Sequence, residues 1–436
     1  MTVDYLLKNG LVIVEGEPAR KAVALYLSKI EGIYSPGSEP PAQQVIDCED
    51  LYILPGAIDI HVHLRDLDNS DKEDFATGTR AAAAGGVTTV IDMPNSNPPT
   101  LDRDSLEEKV DRAKEKRFVN VGFYSGIPGK TSDFDKQIVP DILGFKVYPH
   151  SPIIKGTSYS QKRIRACLKL SEEHDIPLLL HPETGGKHSA PKTLDAFLKQ
   201  HTCESEGDSI RQFLAAQSEV GGRLHICHVS CASSVRTIEK HRAEDLLTAE
   251  VTPHHLFLAG GDFTHTDGAS KMLPPLRSPY DNKALQEALH QCVIDCVASD
   301  HAPHTEQEKR ATFLEASSGI PGLETTVPLM LTEVLEGRLS WVEYLRCCCS
   351  APAHILKLDS KGVLAKGYDA DICIVKREES VICGAFFHSK AKVTPFEGRP
   401  VIATPVMTFV GGDLVYNYGQ FLIGPGVAGR VPVRKT

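Results

Sequence analysis

The 436-residue chain has no apolar run approaching the ~18 residues of a membrane-spanning helix, and it is short of positive charge. Lysine and arginine total 47 against 57 aspartates and glutamates, a net charge of −10. That balance argues against a general nucleic-acid binder and against adsorption to anionic membranes. It leaves a small anionic substrate open, because a few local cations set the field inside a pocket. No low-complexity stretch and no close repeat occurs, and 41% hydrophobic with 24% charged residues gives no sign of disorder. An acidic residue stands in Met1-Thr2-Val3-Asp4 where a signal peptide would carry a basic region, so no signal peptide and a cytoplasmic location are expected. The twelve cysteines lack the spacing of a disulfide framework, and Cys347-Cys348-Cys349 sit together in a helical pattern. Most are expected to be reduced and buried as small hydrophobes.

What is present is a texture that changes twice. Residues 2–53 read as short strands broken by turns. From Pro55, short apolar runs without alternation, the pattern of strands buried on both faces, alternate with amphipathic helices such as DRDSLEEKVDRAKEK and QKRIRACLKLSEEH. Eight such strands end near His61, Met93, Tyr124, Val147, His181, His228, Glu250 and Ser299. After about residue 355 the β texture returns, with a hairpin signal at Val410-Gly411-Gly412-Asp413. The expected architecture is an α/β chain: a (β/α)₈ TIM-type barrel over residues 54–355. A small discontinuous β-sandwich domain would be formed by residues 1–53 plus 356–436.

Groups that favour metal recur where these strands run out: His61 and His63 in GAIDIHVHLRD, Lys146 in ILGFKVYPH, His181 in IPLLLHPE, His228 in RLHICHVS and Asp300 in DCVASDHAPH. Positions i and i+2 of an extended segment face the same side, so His61 and His63 can reach one ion. Alone, a His-x-His pair is weak; joined by three further strand-end donors it reads as one site on the C-terminal face of a barrel. Lys146 is costly to bury as an ammonium without a partner. Asp300 combines two roles, metal ligand and proton carrier, against the alternative of a helix cap. His301 and His304 cannot both be assumed functional on position alone. The pattern is that of a metal-dependent hydrolase.

Taken in order, GAIDIHVHLRD, KEDFATGTRAAAAGGVTTVIDMPN, GFKVY, HICHVS, EVTPHHLFL, CVASDHAPHT, GIPGLET and TPFEG resemble the dihydroorotases of the amidohydrolase superfamily, nearly end to end. The resemblance implies two zinc ions bridged by a carbamate on Lys146. One ion would be held by His61, His63, Lys146 and Asp300, the other by Lys146, His181 and His228. It further implies that Cys227 touches an additional metal, as in some relatives, although a small buried filler is the commoner use of such a cysteine. The implied reaction is the reversible cyclisation of N-carbamoyl-L-aspartate to L-dihydroorotate in pyrimidine biosynthesis, with metal-activated hydroxide as nucleophile and Asp300 as proton shuttle. The substrate carboxylate would meet Arg65, Asn95 and His304, with backbone groups of Ser318 and Gly319 on a neighbouring loop. The rival role of Arg65 is a salt bridge with Asp66 or Asp68, and that of Asn95 is turn chemistry in PNSNPP. Leu273 stands where relatives often carry Asn or Arg, and Arg277 nearby either compensates or is surface. Alternatives are another cyclic amidohydrolase, an allantoinase or hydantoinase, and a non-catalytic scaffold for aspartate transcarbamoylase. A homo-oligomer and association with that transcarbamoylase are both compatible with the sequence.

Overall fold

The computed structural model describes residues 1–184, 193–242, 246–263 and 268–435. The non-alternating apolar runs form eight strands: Ala57–Val62, Val87–Asp92, Asn120–Phe123, Phe145–Val147, Leu178–Leu180, Leu224–Ile226, Leu247–Val251 and Cys296–Val297. Every residue in them except Thr248 is buried, which is why leucine, isoleucine and valine occur without polar alternation. The first three pair in parallel, as do the last five. Parallel bridges Ser125–Phe145 and Val62–His301 join the two sets and close the ring. All eight strands close a parallel barrel at the positions the sequence marks.

Helices between the strands begin where polar caps predict. Asp102 accepts from the Ser105 amide at the head of Arg103–Lys116, and Ser160 caps Gln161–His174. Ser278, with Pro279 in the first turn, opens Pro279–His290.

Five strands from the N-terminal segment and four from the C-terminal segment form one nine-stranded sheet, in which Leu51–Pro55 pairs antiparallel with Ile372–Val381. The strand Pro400–Val410 is three places from Val3–Val14 in hydrogen-bond order, about 14 Å in a flat sheet. Yet the rings of Tyr5 and Phe409 approach to 5.4 Å. The sheet therefore folds over onto itself around Val23, Ile53, Ile372 and Phe409, in the manner of a sandwich. The expected hairpin is present: Gly411 and Gly412 take φ values of +57° and +87°, the left-handed pair that a two-residue turn between twisted strands requires.

Most cysteines are free and buried, as expected, with one bonded pair that their spacing does not announce. Cys203 and Cys231 form a disulfide with Cα atoms 5.7 Å apart, a pairing hidden by a sequence separation of 28. It becomes possible because Cys203 opens the helix Cys203–Val220 and Cys231 caps Ala232–Lys240, two helices that pack together. Ten cysteines are free, eight of them buried, including all three of Cys347–Cys349. Closing a loop of that length stabilises the folded chain by about 3.5 kcal/mol in the chain-entropy account. Reduction with dithiothreitol, or Cys203→Ser, is expected to lower the melting temperature by several degrees in a thermal-shift measurement; an unchanged melting temperature would show that the bond contributes nothing.

Candidate active site

His61 and His63 lie at the end of the first barrel strand, on one side of it, as alternate positions must. Their ring centroids are 5.5 Å apart. Asp300, just past the last strand, brings its Oδ1 to 3.3 Å from His61 Nε2 and 3.2 Å from His63 Nε2. These three donors can share one ion. His181 and His228 follow the fifth and sixth strands, with rings 4.5 Å apart and His228 5.2 Å from His61. His181 Nε2 and His228 Nδ1 are buried without a hydrogen-bond partner. Buried imidazole nitrogens with no hydrogen-bond partner among the described residues, on rings 4.5 Å apart, are what a bound cation would satisfy, so the donor set fits a metal centre.

Lys146, in the fourth strand, is buried, and its Nζ lies 2.8 Å from Cys227 Sγ. Its charge acts on His61, His181 and His228, lowering the proton affinity of each. All six donors expected from the sequence are thus brought together.

Electrostatics prepare most of these imidazoles as neutral ligands. Burial pushes His63 down to about 4 despite Asp300. Burial also lowers His181, and burial with the neighbouring His181 carries His228 well below its ordinary value. His61 is the exception. Burial and Lys146 oppose its second proton, but the Glu250 and Asp300 carboxylates prevail and carry it up to about 10. Burial by itself would raise Asp300, yet His61 and His63 hold it well below the usual carboxylate range.

The surroundings supply orientation that motif reading missed. Glu250, at the end of the seventh strand, bonds His61 Nδ1 and also contacts His225 Nε2 at 3.1 Å. With Nδ1 engaged, His61 presents Nε2 to the site, the carboxylate–imidazole–metal arrangement. In sequence Glu250 is one acid within the strand Leu247–Val251, with no local pattern that marks its role. Asp59, raised by burial to about 6, accepts from the amides of His61 and Ser299 and so ties the first strand to the last. Glu183 bonds His201 Nδ1 and lies 3.7 Å from His181 Nε2.

The residues expected to hold substrate line a cavity of about 480 Å³ together with His61, His63, His181, His228 and Asp300. Arg65 is held at φ +57°, and no carboxylate among the described residues lies within salt-bridge distance of it. Asp66, its sequence rival partner, pairs instead with Lys116 at 2.8 Å, and Asp68 accepts from Asn97. Asn95 Oδ1 accepts from His63 Nδ1 at 2.8 Å, so this side chain orients a ligand as well as facing the cavity. His304 donates from Nε2 to the Ser318 carbonyl at 3.0 Å. Burial, Arg65 and Lys72 take its proton affinity down to about 3, which keeps it neutral. The Gly319 amide is already spent on the Lys271 carbonyl at 3.1 Å. Gly319 serves the site by its φ of +135° and by lacking a Cβ, which would stand 2.5 Å from the Ala302 carbonyl oxygen. Leu273 forms part of the wall. Arg277 is neither compensating nor surface: it is buried against Ser230 and the His201 carbonyl.

A closed parallel barrel with histidines and a carboxylate at its strand ends defines a class, the metal-dependent hydrolases. Residues 52–415 match the model of the amidohydrolase family. The chain is 37% identical over 376 residues to a dihydroorotase of Halobacterium salinarum, covering 84% of this chain and 87% of the relative. It is 33% identical to a dihydroorotase of Methanosarcina acetivorans, covering 97% and 96%. Among solved structures, an L-hydantoinase (dihydropyrimidinase) from Arthrobacter aurescens superposes with a TM-score of 0.89 at 28% identity, over 99% of this chain and all of that one. The chain belongs to the amidohydrolase family, and within it to the dihydroorotases.

Glu250→Gln is expected to leave the fold intact and weaken metal binding by about 10- to 100-fold, because His61 loses the carboxylate that orients it. A competition titration with a chelating dye measures this, and an affinity equal to the parent's would remove Glu250 from that role.

Proposed function

We propose that this protein catalyses the reversible hydrolysis of the ring amide of L-dihydroorotate to N-carbamoyl-L-aspartate, a step of pyrimidine biosynthesis. The observation that carries the choice of substrate is Arg65: a cation without a carboxylate partner, lining the same cavity as the metal-ligand set. A guanidinium left unpaired in such a place is matched by a planar carboxylate, which dihydroorotate has and hydantoin and allantoin lack.

One zinc ion would be held by His61, His63, Asp300 and Lys146, and a second by Lys146, His181 and His228, with Lys146 carrying a carbamate. Cys227, beside Lys146 and within reach of His61 and Glu250, would be the donor to any additional ion. Bound metal supplies a water of lowered pKa and polarises the carbonyl under attack.

The chain's own groups do the rest. Arg65 takes the substrate carboxylate, with the Asn95 amide nitrogen and His304 beside it, and so sets the ring amide against the strand ends. Glu250 and Asn95 hold His61 and His63 in the tautomers that leave Nε2 inward. Asp300, kept ionised by the two imidazoles, accepts the proton of the attacking water and passes it to the ring nitrogen as the carbon–nitrogen bond breaks. In the synthetic direction the same carboxylate takes that proton back from nitrogen.

An ultraviolet assay of ring opening on dihydroorotate, hydantoin and allantoin side by side tests the reading. Turnover of dihydroorotate well above the other two is expected; preference for hydantoin or allantoin would overturn it in favour of a sister activity. Asp300→Ala is expected to abolish turnover while circular dichroism remains that of the parent, and retention of substantial activity would remove Asp300 from the reaction. Arg65→Met should raise KM for dihydroorotate by about 10- to 100-fold, the loss of one charge-assisted contact. An unchanged KM would mean that the substrate carboxylate is bound elsewhere.

A further inference from the structure

Asp300 takes a left-handed φ of +47°, a conformation an aspartate keeps only when its neighbours enforce it. The enforcing neighbour is His301. It is fully buried, its carbonyl accepts the His63 amide at 2.8 Å, and its own amide donates to Ser299 Oγ at 2.9 Å. The bridges Val62–His301 and His301–Ile320 place this one residue between the first barrel strand and the loop of Gly319. His301 is therefore no ligand. Its Nδ1 accepts from the Gly322 amide at 3.1 Å, so the ring proton sits on Nε2. Glu73 Oε2 lies 3.4 Å from that nitrogen, an ion-pair contact and not a hydrogen bond.

Glu73 is itself fully buried and heavily engaged. Oε2 accepts from the Ser389 hydroxyl, and Oε1 from the Thr77 hydroxyl and the amides of Asp74, at 3.3 Å, and Lys390, at 3.4 Å. Lys390 Nζ adds a 2.7 Å ion pair to Asp74. Ser389 and its neighbour His388 are gripped a second time by Glu324, which accepts both their amides, at 3.2 and 2.7 Å. Two barrel carboxylates, Glu73 fully buried and Glu324 partly so, thus hold a short stretch of the C-terminal segment, and Glu73 faces the imidazole that anchors the catalytic turn.

We propose that Glu73 is a positioning residue for Asp300 and His63, acting through His301, and that Ser389 of the C-terminal segment fixes the Glu73 carboxylate in the required orientation. The C-terminal segment would then be part of the machinery that sets the proton carrier, although it contributes no group to the cavity. The inference deepens the proposed hydrolase reading and rests on Asp300 carrying the proton.

The loop that follows Arg65 is held by backbone, Asp66 N to Glu73 O at 3.0 Å, so altering the Glu73 side chain should spare carboxylate binding. In the metal-loaded, full-length protein, Glu73→Gln is expected to lower kcat about tenfold. KM should stay within about twofold, with zinc content by elemental analysis unchanged. The acid limb of the kcat–pH profile should move by about half a unit or more, since it reports the Asp300 environment. Ser389→Ala should show a smaller fall in the same sense, and Ser389→Thr, which keeps the hydroxyl, should restore most of it. A folded Glu73→Gln with kcat and acid limb like the parent's overturns the proposal. So does equal kcat in Ser389→Ala and Ser389→Thr, which decides the matter if Glu73→Gln does not fold. If the parent prefers another cyclic amide, the substrate reading fails while the ratio of variant to parent on that amide still tests the positioning role.

Discussion

Crowding imidazoles, a carboxylate and a lysine into one buried mouth is the constraint around which this molecule is arranged. Each group loses water, and an apolar lining could not repay that loss. The structure meets it in two ways. Some atoms are satisfied from behind, as Glu250 satisfies His61 and Asn95 satisfies His63. Others, His181 Nε2 and His228 Nδ1, have no hydrogen-bond partner among the described residues, a cost that a cation would recover.

Backbone strain follows from the same demand. Arg65, His228 and Asp300 all carry positive φ, and Arg65 is the first of three consecutive left-handed residues. Chains turn sharply at strand ends when side chains from several strands must reach one point, and such conformations persist only where surrounding structure over-determines them. Asp59 between the first and last strands and the buried Lys109–Asp92 pair at 2.6 Å, whose carboxylate also accepts the Leu64 amide, supply that rigidity. Precision at the site is a product of these buried polar ties more than of the apolar barrel core, which any well-packed set of aliphatics could fill.

Barrel strands were legible because burial on both faces removes polar alternation, and a histidine or aspartate ending such a run stands out. Ligands were legible for the same reason. Residues that support them were not: Glu250, Asp59 and Glu73 are ordinary acids in sequence, and their meaning depends on which distant amide or imidazole they meet. Asn95 was read as a substrate group, and its bond to His63 gives it a second task that no local pattern announces. The sequence offers backbone groups of Ser318 and Gly319 to the substrate loop; the Gly319 amide is occupied by the Lys271 carbonyl, and the glycine is required by its positive φ. The Cys203–Cys231 bond is not legible because it depends on two helix starts, 28 residues apart, meeting through helix packing.

Fold and specificity separate cleanly in this chain. Its backbone superposes on a hydantoinase from Arthrobacter aurescens at a TM-score of 0.89, while the relatives with the higher identities are dihydroorotases. Shared backbone and shared strand-end donors account for a common hydrolytic centre, since both enzymes must open a cyclic amide. They cannot account for choice of ring substituent, which has to come from groups outside the metal-ligand set. Arg65 lies two residues beyond His63 on the same chain segment, so on the proposed reading the anion receptor and the ligand pair would be positioned by one turn. In a site built for a neutral ring, a guanidinium there with no bonded carboxylate would be a standing cost, offset only by the longer-range pull of Asp300, Asp92 and Glu308. In a site built for a carboxylate, that cost would be recovered each time the substrate enters, and the same contact would fix the ring against Asp300.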